Sequence, residues 1–225
     1  QQEIYAWAKR YAPHVVNEWP RSVINVNLDD VCNAYFDGTL NFFRAGEGCN
    51  NTGRIRDVSH HEWGHGFHYY NLLSGDYDGS MSEGLSDAVA FFHSGDAVMA
   101  PYFGQNGYGI READTNRVYP DDIVNEVHTD GLIFAGTVWD LWSELEEMYG
   151  DSDAAYDALM NLFVQSLRSG PDIAGSYDAF LFTDDDNGDL EDGTTHECAI
   201  VEAFGMHGLG PKGEGGFFRL SHLPI

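Results

Sequence analysis

Apolar and polar positions follow two different rhythms along this chain. The opening QQEIYAWAKRYA has the amphipathic spacing of a helix, and residues 1–19 read as one helix ended by Pro20. RSVINVNL (21–28) and GTLNFF (38–43) alternate or cluster β-formers and predict two strands. The NAYFDG between them carries a turn signal at Asp37-Gly38. A polar, glycine-rich loop follows over 44–53. A helix is predicted from about Asp57 to Leu73, then the loop SGDYDGS, then a second helix over MSEGLSDAVAFFHSG with Ser82 as its cap. Residues 100–127 are rich in loop signals. Two longer helices are predicted over 129–150 and 152–170, the latter with Ser152 as cap, Gly170 as stop and Pro171 beyond. Shorter helices are expected around 172–183 and 195–207. There is no repeat and no low-complexity tract. The pattern predicts an α+β fold: a small β-containing front half and a helical remainder.

One predicted helix carries unusual chemistry. SHHEWGHGFHYY, residues 59–70, holds four histidines and one glutamate. His61 and His65 are four apart and project from one helical face, with Glu62 beside them. This is H-E-x-x-H, in which two imidazoles bind one metal ion and the glutamate acts as general base. His60 does not complete the pattern, because Gly64 occupies its i+4 position. His68 is three from His65 and is expected to be a packed or hydrogen-bonded helix residue. A catalytic zinc takes three protein ligands and keeps one open position. Glu83, in SEGLSD on the next predicted helix, is the candidate third ligand. Asp87 lies one turn beyond on the same face, placed to accept the second ring N–H of a metal-bound histidine. Taken alone, Glu83 and Asp87 read as the acids of an ordinary helix N-terminus. Coupled to the histidine motif, they read as part of a site.

Composition narrows the function classes. The chain has 225 residues, 43% hydrophobic and 14% aromatic, enough for one large domain or two small lobes around a cleft. A single catalytic domain over 1–225 is expected, with the strands and active-site helix in about 1–75 and a mainly helical lobe in about 76–225. No run of about 18 apolar residues exists, so membrane insertion is not expected. No signal peptide opens the sequence, and it reads as a mature or trimmed segment. Eleven basic residues stand against 37 acidic ones, a formal charge of −26, which argues against nucleic acid and anionic membranes as partners. Such a charge suits a secreted protein, a calcium binder or a salty habitat, and equally a merely solvated acidic surface. Cys32 and Cys49 bracket a strand-like stretch and are expected to form a disulfide, which implies an oxidising compartment. Cys198 would remain as a buried free thiol. In FTDDDNGDLEDGTTHE (182–197), Asp185, Asn187 and Asp189 alternate like the first ligands of a calcium loop, with Gly188 for the bend. The glycine falls early and no glutamate fits the twelfth position. The expectation is therefore a calcium turn of non-EF type, against a solvated acidic loop.

HEWGH followed by EGLSD resembles the glutamate-zincin metallopeptidases, those related to thermolysin and more closely to fungalysin. NAYFDG (33–38) resembles the edge-strand segment of thermolysin-like enzymes, which implies that Asn33 and Ala34 bind substrate backbone. GIR (109–111) is similar to a fungalysin stretch and implies a substrate-carbonyl role for Arg111, against a salt bridge to a neighbouring carboxylate. EVHTDG (126–131) resembles the segment of the transition-state histidine, which implies that role for His128, against a surface-loop histidine. Tyr77 is the candidate for the family's catalytic tyrosine. The resemblance implies a thermolysin-like zincin catalytic domain. Its cleft, between a small β-containing N-terminal part and a mainly helical C-terminal part, would hold one catalytic zinc on His61, His65 and Glu83. It also implies secretion, peptide or protein substrates, and a propeptide or inhibitor as further partner. The exopeptidase motif G-x-M-E-N is absent, so the expected activity is that of an endopeptidase. Two other classes compete: a zinc- or calcium-binding interaction domain that has lost turnover, disfavoured by the intact Glu62, and a calcium-stabilised structural domain with incidental histidines.

Overall fold

Pro13 divides the expected first helix. It has no amide proton to donate back into a preceding turn, and it is favoured at a helix start. A computed structural model describes residues 2–211 and shows two helices here, α1 (Gln2–Tyr11) and α2 (Pro13–Glu18). Gln1 and residues 212–225, which the helix and domain expectations include, lie outside the described residues. Ile4, Trp7, Ala8 and Tyr11 form the buried face of α1.

The front sheet has three strands where two were expected: β1 (Ile24–Val31), β2 (Ala34–Phe36) and β3 (Leu40–Arg44). The additional strand lies inside NAYFDG. Sequence reading gives that segment only a turn signal, because a three-residue strand is too short to show alternation. The turn itself falls at Asp37-Gly38, where Gly38 takes a positive φ and returns the chain so that Phe36 pairs with Leu40. The order is β1-β3-β2, with β1 parallel and β2 antiparallel to β3. β2 is therefore an edge strand, with an outer side unpaired among the described residues. A disulfide joins Cys32 to Cys49 across 5.4 Å between Cα atoms and ties the end of β1 to the loop after β3.

The long helix α3 (Arg56–Asn71) packs against this sheet, and a second long helix, α4 (Gly79–Ser94), packs against α3. Asp78 caps α4, its Oδ1 accepting from the Met81 amide at 2.7 Å, so the expected cap Ser82 instead sits buried inside the helix. Glycines let three helices approach closely. A Cβ on Gly64 would lie 2.6 Å from the Ser86 Cα, and one on Gly84 would lie 2.3 Å from the carbonyl oxygen of Gly131. The second contact joins α4 to α5 (Val127–Tyr149), capped by Glu126. α6 (Ser152–Ser166) is capped by Asp151 rather than Ser152, and the chain leaves it through a 3-10 turn ending at Gly170. α7 (Ser176–Asp184) and α8 (Glu197–Met206) complete the helical part. A two-stranded ribbon, β4 (Val98–Met99) with β5 (Arg111–Glu112), leans on the end of α4.

Trp63, Phe67, Phe91, Phe134, Phe163, Phe180 and Phe204 fill the core, each contributing about 1.5–3 kcal/mol of apolar burial. Cys198 is exposed, contrary to expectation, because α8 turns Ala199, Ile200, Ala203 and Phe204 inward and leaves Cys198 outside that stripe. No helix among the described residues is long and apolar enough to cross a membrane.

Candidate metal centre

The 3.6-residue period of α3 places His61 and His65 one turn apart, and the close approach at Gly64 brings α4 against them. His61 Nδ1 donates to Asp87 Oδ1 at 2.7 Å, and His65 Nδ1 pairs with Ser82 Oγ at 2.8 Å. With their Nδ1 atoms turned outward, the two Nε2 atoms face each other at 3.1 Å. Glu83 adds one oxygen 3.2 Å from His61 Nε2 and the other 3.6 Å from His65 Nε2. These are the only three His, Cys, Asp or Glu side chains among the described residues whose ligand atoms converge this way, all within 4.8 Å of one another.

The cluster attracts positive charge. Burial opposes a charge on His61, but the Asp87 and Glu83 carboxylates override it and lift its pKa to about 10. Burial and the neighbouring His61 push His65 down to about 3, so the pair of rings favours one positive charge rather than two. Glu83 Oε2 is buried and accepts no hydrogen bond. A divalent cation satisfies these Lewis bases better than one proton does, and two imidazoles with a carboxylate are a donor set suited to zinc. The residues present therefore fit the metal that the motif implies.

Around the cluster, Asp87 is the hub. Arg111 Nε donates to its Oδ2 at 2.6 Å and Arg111 Nη2 to its Oδ1 at 2.7 Å. Burial works against the Asp87 charge, but His61 and Arg111 hold its carboxyl down at about 2. Of the two readings of Arg111, the geometry shows the carboxylate pair. Glu62 lines the cleft with Oε2 buried and unbonded, and burial lifts its pKa to about 7 against the pull of His61. His128, on the first turn of α5, anchors Nδ1 on Glu126 at 2.7 Å and brings Nε2 to 3.4 Å from Glu83 Oε2. Its side chain is 47% exposed, so it stands at the rim.

A cavity of about 530 Å³ runs over these groups, with Asn33, Ala34 and Tyr35 along one wall. Tyr77 reaches the same cavity, and its hydroxyl lies 2.5 Å from Ser82 Oγ. Ser82 and Ser86 were missed as parts of the site; both hydroxyls lie within 3.2 Å of His65 Nδ1. The available signal was their adjacency to Glu83 and Asp87 on one helix. His60 packs against His93, with ring centroids 4.7 Å apart. His68 is wholly buried and stacked on Tyr77, with both ring nitrogens unbonded, so it is packed rather than hydrogen-bonded. Asp185, Asn187 and Asp189 lie outside the centre. Each accepts from the backbone amide two residues on, at 2.8–3.1 Å, as turn-forming side chains do.

The family model described as fungalysin metallopeptidase (M36) matches residues 46–213. No curated protein matches the chain. Among solved structures, the precursor of protealysin, a metalloproteinase from Serratia proteamaculans, is similar with a TM-score of 0.61 at 14% identity. The match covers 93% of this chain and 78% of that one. That likeness shows the fold, an α+β arrangement of the thermolysin-like class. The family match extends over more than half of the sequence and includes both metal-ligand segments, and on that ground the chain belongs to the fungalysin metallopeptidases.

Proposed function

We propose that this chain is a secreted zinc-dependent endopeptidase, a single catalytic domain acting on extended peptide segments. The observation that carries the reading is the meeting of three ligand atoms, within 4.8 Å of one another, beside a buried and unbonded Glu62 carboxylate. His61, His65 and Glu83 would hold the zinc, which would supply Lewis acidity for a water and for the scissile carbonyl. Glu62 takes the proton from the attacking water and passes it to the leaving amine. Its burial in the cleft, which raises the carboxyl's pKa, favours such a proton carrier. His128 supports the carbonyl oxygen as it gains charge. Asp87 fixes the tautomer and orientation of His61, and Arg111 holds Asp87 in turn. The edge of the Arg111 guanidinium turned away from Asp87, with Nη1 and the second Nη2 hydrogen, offers donors for a substrate carbonyl. Asn33 and Ala34, at the free edge of the front sheet, pair with the substrate backbone as an added strand.

Casein hydrolysis with one equivalent of zinc, abolished by a chelator and by Glu62→Gln, is the expected result. Stoichiometric zinc with no hydrolysis of any peptide would assign the protein instead to a silent binding domain. A propeptide or inhibitor is the partner expected to cover such a cleft. Calcium at Asp185, Asn187 and Asp189 is a separate part of the proposal. A calcium titration that leaves the melting temperature unmoved removes it.

A further inference from the structure

The cleft does not end at the metal cluster. Beyond Phe36 and Tyr77, which line both spaces, a second cavity of about 610 Å³ opens between the β2–β3 turn and the end of α3. Its walls are Phe36, Asp37, Gly38, Tyr69, Tyr70 and Tyr77. The aromatic walls are braced from behind. Tyr70 stacks on Trp19 at 5.2 Å, Phe36 meets Trp19 edge-on at 5.7 Å, and Tyr77 stacks on buried His68 at 4.6 Å. Tyr69, 60% exposed, stands perpendicular to Tyr70 at the mouth.

A single charged side chain lines this space. Asp37 Oδ1 accepts three hydrogen bonds, from the Thr39 amide at 3.1 Å, the Thr39 hydroxyl at 2.7 Å and Asn41 Nδ2 at 3.0 Å. These bonds orient the carboxylate and hold its pKa below the usual range, while Oδ2 bonds no described residue. Four aromatic side chains and one oriented carboxylate lining the same space suit a cation carried on an apolar stem. A purely apolar guest would fill the walls but strip water from Asp37 without replacing it. An acidic guest would meet a like charge, and the net charge of −26 opposes it further.

We propose that this cavity is a specificity pocket for a lysine or arginine side chain of the peptide substrate. The proposal rests on the endopeptidase reading above and names the substrate class for that site. An extended peptide advances about 3.3 Å per residue. Phe36 is two residues along the edge strand from Ala34, so the basic side chain falls within about three positions of the scissile bond.

The test is cleavage-site profiling of a mixed peptide library by the zinc-loaded protein. It is followed by kcat/KM for matched peptides carrying Lys or norleucine at the selected position. A Lys-over-norleucine ratio of about fivefold or more is expected, falling toward one in Asp37→Asn and in Tyr69→Ala and shrinking with added salt. Tyr69 is exposed, so its truncation keeps the test open should Asp37→Asn fold poorly. An active wild type with no basic enrichment overturns the pocket alone, as does an enrichment that both variants retain. A wild type that cleaves nothing overturns the endopeptidase reading and this proposal with it.

Discussion

Gly64→Ala isolates the contact that builds the candidate metal centre. The added methyl would lie 2.6 Å from Ser86 Cα, 2.8 Å from its Oγ and 2.9 Å from its Cβ. Carbon atoms rest at about 3.5–4.0 Å, and a backbone Cα cannot swing aside as a side-chain tip can, so α4 must retreat by about 1 Å. Overpacking of this kind costs about 2–3 kcal/mol, and the better helix propensity of alanine returns about 1 kcal/mol. The net loss is about 1–2 kcal/mol, or roughly 2–8 °C in melting temperature for a domain of this size. The same retreat carries Ser82 and Glu83 away from His65 and His61, at a centre whose bonds tolerate only about 0.2 Å. Zinc should then bind at least about tenfold more weakly, removing about 1.4 kcal/mol of zinc-linked stability. Differential scanning fluorimetry of metal-free and zinc-loaded wild type and variant reads both quantities. A variant with the wild-type melting temperature and an undiminished zinc increment refutes the claim that this approach sets the ligand geometry.

Asp87→Asn leaves the Arg111 guanidinium, mostly buried, without its counter-charge, at a cost of about 3–5 kcal/mol. It also frees His61, and competition against a metallochromic dye should show zinc affinity about 10–100-fold weaker; unchanged affinity removes Asp87 from the centre. His68 is wholly buried and bonded to nothing, and burial pushes its pKa to about 4 against 6.5 in a free ring. Below pH 6.5 the unfolded chain binds a proton that the folded chain refuses. His68 therefore contributes full stability above 6.5 and loses about 3 kcal/mol by pH 4. His68→Phe should flatten that part of the acid limb in urea midpoints, and an unaltered limb sinks the assignment. The Cys32–Cys49 bond closes a loop of 17 residues, worth about 3 kcal/mol. A reductant should lower the melting temperature of the wild type but not of a Cys32→Ser, Cys49→Ser double variant.

Elements fixed by local periodicity were legible in the sequence, and elements fixed by partners were not. The helix expected from about Asp57 to Leu73 runs Arg56–Asn71, because its boundaries and its histidine face follow from spacing alone. The strand Ala34–Phe36 exists because β3 offers it a ladder, and three residues carry too little pattern to announce that. Ser82 and Ser152 look like caps in isolation, yet Asp78 and Asp151 precede them and take the amides first. Cys198 is apolar enough for a core and near enough to one, but only the rotation of α8 decides which side it faces. Pro13 is different: its missing donor is visible in the sequence, and it ends the helix despite the amphipathic pattern that runs across it.

The candidate site divides along the same line. His61, Glu62 and His65 share one helical turn, and Glu83 follows on the next helix, so their grouping needs only the motif and one short loop. The groups that orient those ligands act between elements. Ser82 and Ser86 reach His65 from 17 and 21 residues away, and Arg111, on β5, reaches Asp87 on α4 from 24 residues away. This resolves Arg111 in a way that sequence could not. Its fork is directional: Nε and one N–H of Nη2 bond the two Asp87 oxygens, which leaves the second Nη2 hydrogen and both of Nη1 on the opposite edge. The ion pair is one edge of the guanidinium, and the proposed substrate donor is the other. What the structure shows is the edge that holds Asp87 charged and turned toward His61, which leaves the other ring nitrogen of His61 facing His65 and Glu83.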